Sequence, residues 1–289
     1  MKFARRMDKL GTVASFEVLA KAKQMEKEGK DIIHLEIGEP DFETPENIKK
    51  AGIRAIEDNF THYSPASGFW DLRETVAKSE SRLKGANIKP ENVIITSGGK
   101  PIMYYAITLF AQRGNEVLYP NPGYPVYESV IKFCGAKPVP YPFLGVNNFK
   151  FDRDLFESLI TDKTRLIIIN TPSNPTGTIF SKKDIEFVAE MAIKHNLIIL
   201  SDEIYSRIVY EGTFTSIASV PEVHENMIIL DGLSKTFAMT GWRLGWGIMN
   251  EKILKMMQLL NGNITSCAST ISQRAAIEAL EGEQEYIGS

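Results

Sequence analysis

Short apolar runs rich in β-branched residues alternate with amphipathic stretches between residues 90 and 250 of this chain. Most of these runs are hydrophobic throughout, which is the composition of strands buried on both faces. Strands that alternate with helices in this way build a mostly parallel sheet. The sequence therefore predicts an α/β fold with a seven-stranded, mostly parallel sheet and helices on both of its faces. The predicted strands cover residues 93–96, 116–119, 137–141, 165–170, 197–201, 227–231 and 244–249.

Helical periodicity fills the stretches between and after these strands. The clearest helix begins at Ser181, where Asp184 three residues later completes a capping box before apolar residues recur at helical spacing. Residues 103–110 and 272–280 show the same spacing. The first 45 residues differ, because a lysine- and glutamate-rich helix over 15–29 is followed by a strand-like run over 32–37.

The balance of charge argues against a protein that binds nucleic acid or a membrane surface. With 33 Lys and Arg residues against 36 Asp and Glu residues, the formal net charge is -3 and gives no global attraction toward a polyanion. We find no run of about 18 apolar residues that could cross a membrane and no apolar export signal near the N-terminus. We therefore expect no nucleic-acid partner and no membrane partner.

The cysteines and histidines argue against a metal site. Cys134 and Cys267 are the only cysteines, and neither has neighbours at metal-ligand spacing, so we expect buried, reduced thiols in a cytoplasmic protein. The 4 histidines also lie at no metal-ligand spacing, and we expect them to be structural or surface residues.

The segment at residues 234–243 says most about which function the chain can have. It reads Ser-Lys-Thr-Phe-Ala-Met-Thr-Gly-Trp-Arg. The amine of Lys235 can form a Schiff base with an aldehyde if burial or a nearby cation lowers its pKa. Arg243 offers a planar guanidinium that matches a phosphate. Together these residues indicate a site for a phosphorylated aldehyde.

Other candidate residues follow the predicted strands, at the edge where open parallel sheets bind ligands. The turn of Gly98, Gly99 and Lys100 opens a helical run and suits an anion, although such turns are common without any ligand. Four more candidate residues follow other predicted strands, and each also has a structural interpretation, as a turn former, a packing ring or a helix cap. They are Tyr124, Asn174, Asp202 and Tyr205.

In these segments the chain resembles the class I and II aminotransferases, which are pyridoxal 5′-phosphate (PLP) enzymes of aspartate-aminotransferase type with fold type I. Besides residues 234–243, the resemblance rests on Asn-Thr-Pro-Ser-Asn-Pro-Thr-Gly at 170–177 and on Asp-Glu-Ile-Tyr at 202–205. It runs from about residue 15 to the last residue. It implies a transaminase that moves an amino group between an amino acid and a 2-oxo acid.

The resemblance also implies a role for each candidate residue. Lys235 forms the Schiff base with PLP and then moves the proton of the substrate α-carbon. Asp202 pairs with the pyridine nitrogen, Asn174 and Tyr205 bind the phenolic oxygen, and Tyr124 stacks on the ring. The residues expected at the phosphate are Gly98, Gly99, Lys100, Ser234 and Arg243.

Two further matches lie outside the predicted sheet. Ile-Gly-Glu-Pro-Asp at 37–41 resembles the turn whose glycine, here Gly38, approaches the substrate carboxylate, and Asn174 is the other expected substrate contact. His-Tyr-Ser-Pro at 62–65 resembles the segment whose tyrosine, here Tyr63, reaches the phosphate of the neighbouring subunit. The resemblance therefore implies a homodimer.

The resemblance implies a division into two domains and also departs from the family in two places. Residues 1–45 are expected to be an arm of a smaller domain, and residues 46–289 the large PLP-binding domain. Gly232 stands where the family often has a serine that binds the phosphate. Relatives continue into a C-terminal segment that completes the small domain and supplies the arginine for the substrate carboxylate, and we expect this chain to lack both. Arg274 is the only arginine after Arg243, so we expect PLP binding but weak saturation by amino acids.

Two other functions remain open at this point. Another PLP reaction, such as β-elimination, is possible on the same scaffold, and release of ammonia without an acceptor would identify it. A PLP-binding regulatory domain is the alternative outside enzymes, but such regulators carry an N-terminal helix-turn-helix, for which the first 45 residues leave little room. The amino donor is not determined by the sequence.

Overall fold

A seven-stranded sheet forms the centre of the protein. The computed structural model describes residues 1–11 and 14–288 of the chain. The strands are β1 (Val93–Thr96), β2 (Glu116–Asn121), β3 (Lys137–Pro142), β4 (Thr164–Asn170), β5 (Ile198–Asp202), β6 (Met227–Gly232) and β7 (Gly245–Met249). Their order across the sheet is β1-β7-β6-β5-β4-β2-β3.

One strand of the sheet, β7, runs opposite to the other six. β2 pairs in parallel with β3 and β4, and the pairs β4–β5 and β5–β6 are also parallel, whereas β7 runs antiparallel to both β1 and β6. The prediction of a mostly parallel, seven-stranded sheet is confirmed, and each predicted strand lies within two residues of its observed ends. All strands except β7 therefore end at the same edge of the sheet.

Helices cover both faces, as predicted. One apolar layer joins the sheet to the helices over residues 70–84, 153–158, 182–194 and 270–281, and the other joins it to the helices over residues 100–110, 126–134 and 251–264. Neighbouring strand residues point to opposite layers, as Ile94 and Ile95 do. The helices are α1 (Ala14–Lys27), α2 (Glu46–Glu57), α3 (Trp70–Lys84), α4 (Lys100–Phe110), α5 (Val126–Cys134), α6 (Arg153–Ser158), α7 (Lys182–Lys194), α8 (Glu251–Ile264) and α9 (Thr270–Glu281).

The capping box predicted at Ser181 is present at the start of α7. The Ser181 hydroxyl accepts a hydrogen bond from the Asp184 N–H, and the Ser181 N–H donates to Asp184 Oδ2 at 3.0 Å. These bonds satisfy N–H groups that have no partner inside the helix. The predicted helical stretches 103–110 and 272–280 lie within α4 and α9.

The strand expected over residues 32–37 is wrong. In the described part of the chain, no strand pairs with this segment, and its Ile33 and Leu35 side chains are 85% and 89% exposed. A strand needs a partner for its backbone groups, and an apolar pattern alone does not provide one. The preceding helix, predicted over 15–29, ends at Lys27, and Gly29 has a left-handed backbone with φ +84.

The two cysteines are less buried than predicted. Cys134 and Cys267 are free thiols, and both are only half-buried. Cys134 ends α5 and Cys267 lies between α8 and α9, so each is covered on part of its surface. Within residues 1–11 and 14–288, no helix is both long and apolar enough to span a bilayer, and no cluster of potential ligands is arranged around a metal position.

Candidate active site

The Asp202 carboxyl group lies buried where β5 ends. Its Oδ2 accepts a hydrogen bond from the Tyr127 hydroxyl at 2.6 Å, and its Oδ1 accepts one from the Ile204 N–H at 3.3 Å. Burial raises the pKa of Asp202 to about 6, although the Tyr127 hydrogen bond opposes the rise and the charges of Asp231 and Glu203 add to it. This carboxyl group is therefore held in place and titrates at mildly acid pH.

Asn170 joins two parts of the site from the end of β4. Its Oδ1 accepts a hydrogen bond from the Asn174 N–H at 2.7 Å, and its Nδ2 donates to the Asp202 carbonyl at 3.0 Å. The Asn174 Nδ2 in turn donates to the Tyr205 hydroxyl at 3.3 Å. The structure therefore brings together Asn174, Asp202 and Tyr205, the three residues that the sequence predicted to face one ring.

The turn after β1 lies directly against Arg243. Gly98 has a left-handed backbone with φ +85, and a Cβ atom there would lie 2.5 Å from Arg243 Nη2. Arg243 Nη1 donates to the Thr240 carbonyl at 2.9 Å, which orients the guanidinium. Helix α4 begins at Lys100, so the positive end of its dipole is at the same turn. The Gly98–Gly99 turn and the Arg243 guanidinium, predicted together as a phosphate site, therefore lie against each other, and their binding of an anion stays a prediction.

Lys235 lies after β6 and reaches across to the N-terminal segment. Its Nζ donates a hydrogen bond to the Gly38 carbonyl at 2.5 Å. Burial lowers the pKa of Lys235, the charge of Glu39 opposes that change, and the charge of Arg243 adds to it. A lowered pKa increases the fraction of uncharged amine, which is the form that reacts with an aldehyde.

A close approach between β6 and β7 explains the glycine at position 232. A Cβ atom on Gly232 would lie 2.9 Å from the Gly245 Cα and 3.1 Å from the Leu244 carbonyl oxygen. A serine at this position would therefore collide with β7 in this chain. Ser234, the other predicted phosphate residue near Lys235, is half-buried.

Tyr124 is tied to the carboxylate through a second ring. Its ring packs edge-on against Tyr127, with centroids 5.6 Å apart and planes at 84°. Lys100 Nζ lies 5.7 Å from the centroid of Tyr124. Since Tyr127 also donates to Asp202, Tyr124 and Asp202 are held by one side chain.

Tyr63 and Arg274 lie apart from these groups. Tyr63 is 87% exposed in the single chain, and its contact with a second subunit stays a prediction. The Arg274 guanidinium forms an ion pair with Asp71 and lies 4.4 Å and 4.2 Å from the ring centroids of Phe60 and Phe69. Arg274 is therefore already held by other side chains, and the structure does not bring it to Lys235.

A groove of about 690 Å³ opens beside this site. Residues 39–44 form one wall, and residues 240–243 form part of the other. Two hydrogen bonds connect the walls: Trp242 Nε1 donates to Thr44 Oγ1 at 3.0 Å, and Thr44 Oγ1 donates to the Ala238 carbonyl at 2.7 Å. The N-terminal segment is thus fixed on the lysine segment, and of the predicted site residues Arg243 lines this groove.

Comparison with known proteins agrees with this geometry. The sequence model described as aminotransferase class I and II matches residues 30–288. The chain belongs to this family. It is 42% identical to a (5-formylfuran-3-yl)methyl phosphate transaminase from Methanocaldococcus jannaschii, over 94% of this chain and 71% of that relative.

Other members of the aminotransferase family are similar over nearly the whole chain. An aspartate aminotransferase from a Bacillus species is 36% identical, over 98% of this chain and 73% of that relative. The solved aspartate aminotransferase of Thermus thermophilus with maleate has a TM-score of 0.94 at 34% identity, covering 97% of this chain and 73% of that chain. The fold is therefore fold type I, and the family's cofactor is PLP.

The residues present fit PLP. The cofactor combines a phosphate, an aldehyde, a phenolic oxygen and a ring nitrogen. The structure provides an anion cradle that a Cβ on Gly98 would fill, an amine of lowered pKa on Lys235 and a buried carboxyl group on Asp202. The Asn174 amide and the Tyr205 hydroxyl form a polar pair for the phenolic oxygen.

Tyr127 and Asn170 were missed by the sequence analysis. Asn170 ends a predicted strand at the ligand-binding edge, so its position was a usable signal. Tyr127 lies in the first turn of α5 and had no such signal, because only the tertiary structure places its hydroxyl 2.6 Å from Asp202.

Replacement of Gly245 tests the close packing around the anion cradle. An added Cβ would lie 2.7 Å from the Gly99 nitrogen and 3.0 Å from the Asp231 carbonyl oxygen. We expect Gly245→Ala to lower the free energy of unfolding by about 1–3 kcal/mol and to weaken PLP binding, measured by denaturation and by cofactor titration. Gly262→Ala is the control, because its Cβ would have its nearest neighbour 3.9 Å away. Equal behaviour of the two variants would contradict this account.

The raised pKa of Asp202 predicts a stability that depends on pH. A carboxyl group whose pKa rises from 3.8 to about 6 on folding contributes stability that is complete below pH 3.8 and is lost as the pH rises through 6. We therefore expect the PLP-free Asp202→Asn variant to gain stability relative to wild type by up to about 3 kcal/mol between pH 4 and pH 7. Denaturant unfolding at several pH values measures this difference. The exposed Asp162→Asn variant should show no such trend.

Proposed function

We propose that this chain is a PLP-dependent aminotransferase that transfers an amino group between an amino acid and a 2-oxo acid. The observation that carries the proposal is the environment of Lys235. The Lys235 amine has a lowered pKa and lies near Arg243. Arg243 in turn lies against the Gly98 turn. These groups are at the edge of the sheet where β5 ends with the buried Asp202. A reactive amine, an anion cradle and a buried acid at one edge match the needs of this reaction.

The side chains around Lys235 would hold the cofactor by its polar groups. When bound, PLP supplies a ring that accepts the electrons left when the substrate α-carbon loses its proton. Arg243 and the backbone of Gly98 and Gly99 bind the phosphate, with Lys100 and Ser234 beside them. Asp202 keeps a proton on the ring nitrogen, and it can do so because Tyr127 and Asn170 hold it in place. The remaining contacts are those of Asn174 and Tyr205 with the phenolic oxygen and of Tyr124 with the ring face.

Lys235 has two tasks in this proposal. Its uncharged amine would hold the cofactor, because the free lone pair is the nucleophile that a Schiff base with an aldehyde requires. As a free amine it would be the base that takes the proton from the substrate α-carbon and passes it to the cofactor carbon. Gly38 lies within hydrogen-bond reach of Lys235, so a substrate carboxylate near Gly38 would place the α-carbon close to this base.

We also propose the assembly and domain division that the sequence suggests. Residues 1–45 form an arm of a smaller domain, and residues 46–289 form the large domain. The active unit is a homodimer in which the exposed Tyr63 binds the phosphate in the other subunit. Free Cys134 and Cys267 agree with a reducing, cytoplasmic environment. Sedimentation of the PLP-bound protein measures the oligomeric state.

Chemical labelling tests the role of Lys235. The purified protein with PLP should be yellow, and reduction with borohydride should attach the cofactor to the peptide that contains Lys235. Lys235→Ala should abolish the attachment, because no other amine occupies this place between Gly38 and Arg243 in the described structure. The exposed Lys194→Ala is the control and should label as wild type does. Attachment at a different lysine would refute the assignment.

A product assay tests the reaction itself. With an amino acid and a 2-oxo acid present, each amino group lost by the donor should appear on the acceptor, and Lys235→Ala should lower kcat by at least about 10²-fold. Ammonia should not form from the amino acid alone. Release of ammonia without an acceptor would favour elimination, and PLP binding without turnover of any pair would favour a regulatory domain.

A further inference from the structure

A buried ammonium joins three carboxylates below the candidate active site. Lys84 Nζ lies 2.8 Å from Glu203 Oε2, 2.9 Å from Asp231 Oδ2 and 3.0 Å from Glu80 Oε2. The four side chains are at most 6% exposed. We call these residues the Lys84 cluster. Buried charges are costly unless they are paired, so the cluster needs a physical explanation.

Two of the carboxylates are held from several sides. Glu203 accepts hydrogen bonds from the Ser216 hydroxyl at 2.8 Å and from the Ser201 hydroxyl at 2.8 Å. Asp231 Oδ2 accepts a hydrogen bond from the Ser206 hydroxyl at 3.2 Å, and Asp231 Oδ1 accepts one from the Gly232 N–H at 2.8 Å. These hydrogen bonds fix the two carboxyl groups in position.

Glu80 is held less firmly. Lys84 Nζ lies at 3.0 Å, but no donor in the described residues reaches Glu80 Oε2 with the angles of a hydrogen bond. Burial raises the pKa of Glu80 to about 7; Lys84 and Arg207 oppose the rise, and Asp231 adds to it. Burial also raises the pKa of Asp231, and the Lys84 charge and the Gly232 N–H oppose that rise.

The two fixed carboxylates connect directly to the proposed catalytic groups. Glu203 follows Asp202 in the chain, and Asp231 lies in β6, four residues before Lys235. The Lys84 ammonium therefore bridges the ends of β5 and β6, the two strands that carry the ring-nitrogen acid and the reactive lysine. It also offsets the charges of Glu203 and Asp231, both of which act on Asp202.

We propose that Lys84 is a positioning residue for transamination, which holds the ends of β5 and β6 together and keeps the field at Asp202 from becoming too negative. This inference rests on the proposed aminotransferase function. The Lys84 side chain is fully buried, so it offers no surface that a substrate could touch. For stability alone, well-packed apolar residues would serve as well as a buried ion cluster or better, so the charge is explained by its effect on the site.

The test compares Lys84→Met with Lys194→Met. Both variants remove one ammonium, but Lys194 pairs with Glu157 at 2.8 Å on the surface. It ends α7, which leads into the start of β5, whereas Lys84 bridges the opposite ends of β5 and β6. In the PLP-free protein, hydrogen exchange of peptides covering residues 200–206 and 230–236 should become faster in Lys84→Met and stay unchanged in Lys194→Met. Unchanged exchange in Lys84→Met would overturn the proposal, whatever the fate of the proposed function.

The PLP-bound protein provides the second readout. In Lys84→Met, kcat should fall about 10- to 100-fold while KM changes little. The midpoint of the absorbance–pH titration of bound PLP should rise, because the field at the site becomes more negative. A purely structural role would lower stability and leave this midpoint at the wild-type value. Failure of wild type to bind PLP would instead refute the proposed function, since the exchange result does not depend on PLP.

A triple variant covers the case in which Lys84→Met does not fold. Lys84→Met combined with Glu203→Gln and Asp231→Asn removes the ammonium and two of its three carboxyl groups. The remaining Glu80 has a pKa raised to about 7 and can be buried in its protonated form, so folding should be restored. The bridge between β5 and β6 is still lost, so exchange over residues 200–206 and 230–236 should remain fast and kcat low. Wild-type exchange and wild-type kcat in this triple variant would overturn the proposal.

Discussion

The site depends on the close backbone packing around Gly245. β7 lies between β1 and β6, and Gly245 pairs with Thr96 on one side and with Gly232 on the other. Because Gly245 and Gly232 lack side chains, the turn after β1 and the end of β6 approach each other more closely than any larger residue would permit. This approach brings the turn that contacts Arg243 next to the segment that leads to Lys235.

The pKa values of Lys235 and Asp202 depend on neighbouring charged groups. Burial lowers the pKa of Lys235, and the charge of the nearby Arg243 lowers it further. Asp202 experiences burial together with the charges of Glu203 and Asp231, which Lys84 offsets. In a buried, low-dielectric region such effects are strong. The reactive amine and the buried acid are therefore adjusted by residues that do not touch a ligand.

The strands and several site residues could be predicted from local sequence. A strand buried on both faces is apolar throughout, so the runs that became β1 to β7 were recognisable within two residues of their ends. Residues 32–37 had a similar apolar pattern but no strand beside them, and the prediction was wrong. Tyr127 and Lys84 were missed because each acts through a partner at least 75 positions away, as Tyr127 does through Asp202.

The sequence by itself determined the fold class, the family and the order of the candidate residues along the chain, because periodicity, glycine turns and the lysine segment are local patterns. Only the tertiary structure decided which groups adjust one another. It brings Gly38 to Lys235 across 197 positions and sets three carboxylates around Lys84. Burial and the distance between charges exist only in the folded chain, and these determine the pKa of Asp202 and of Lys235.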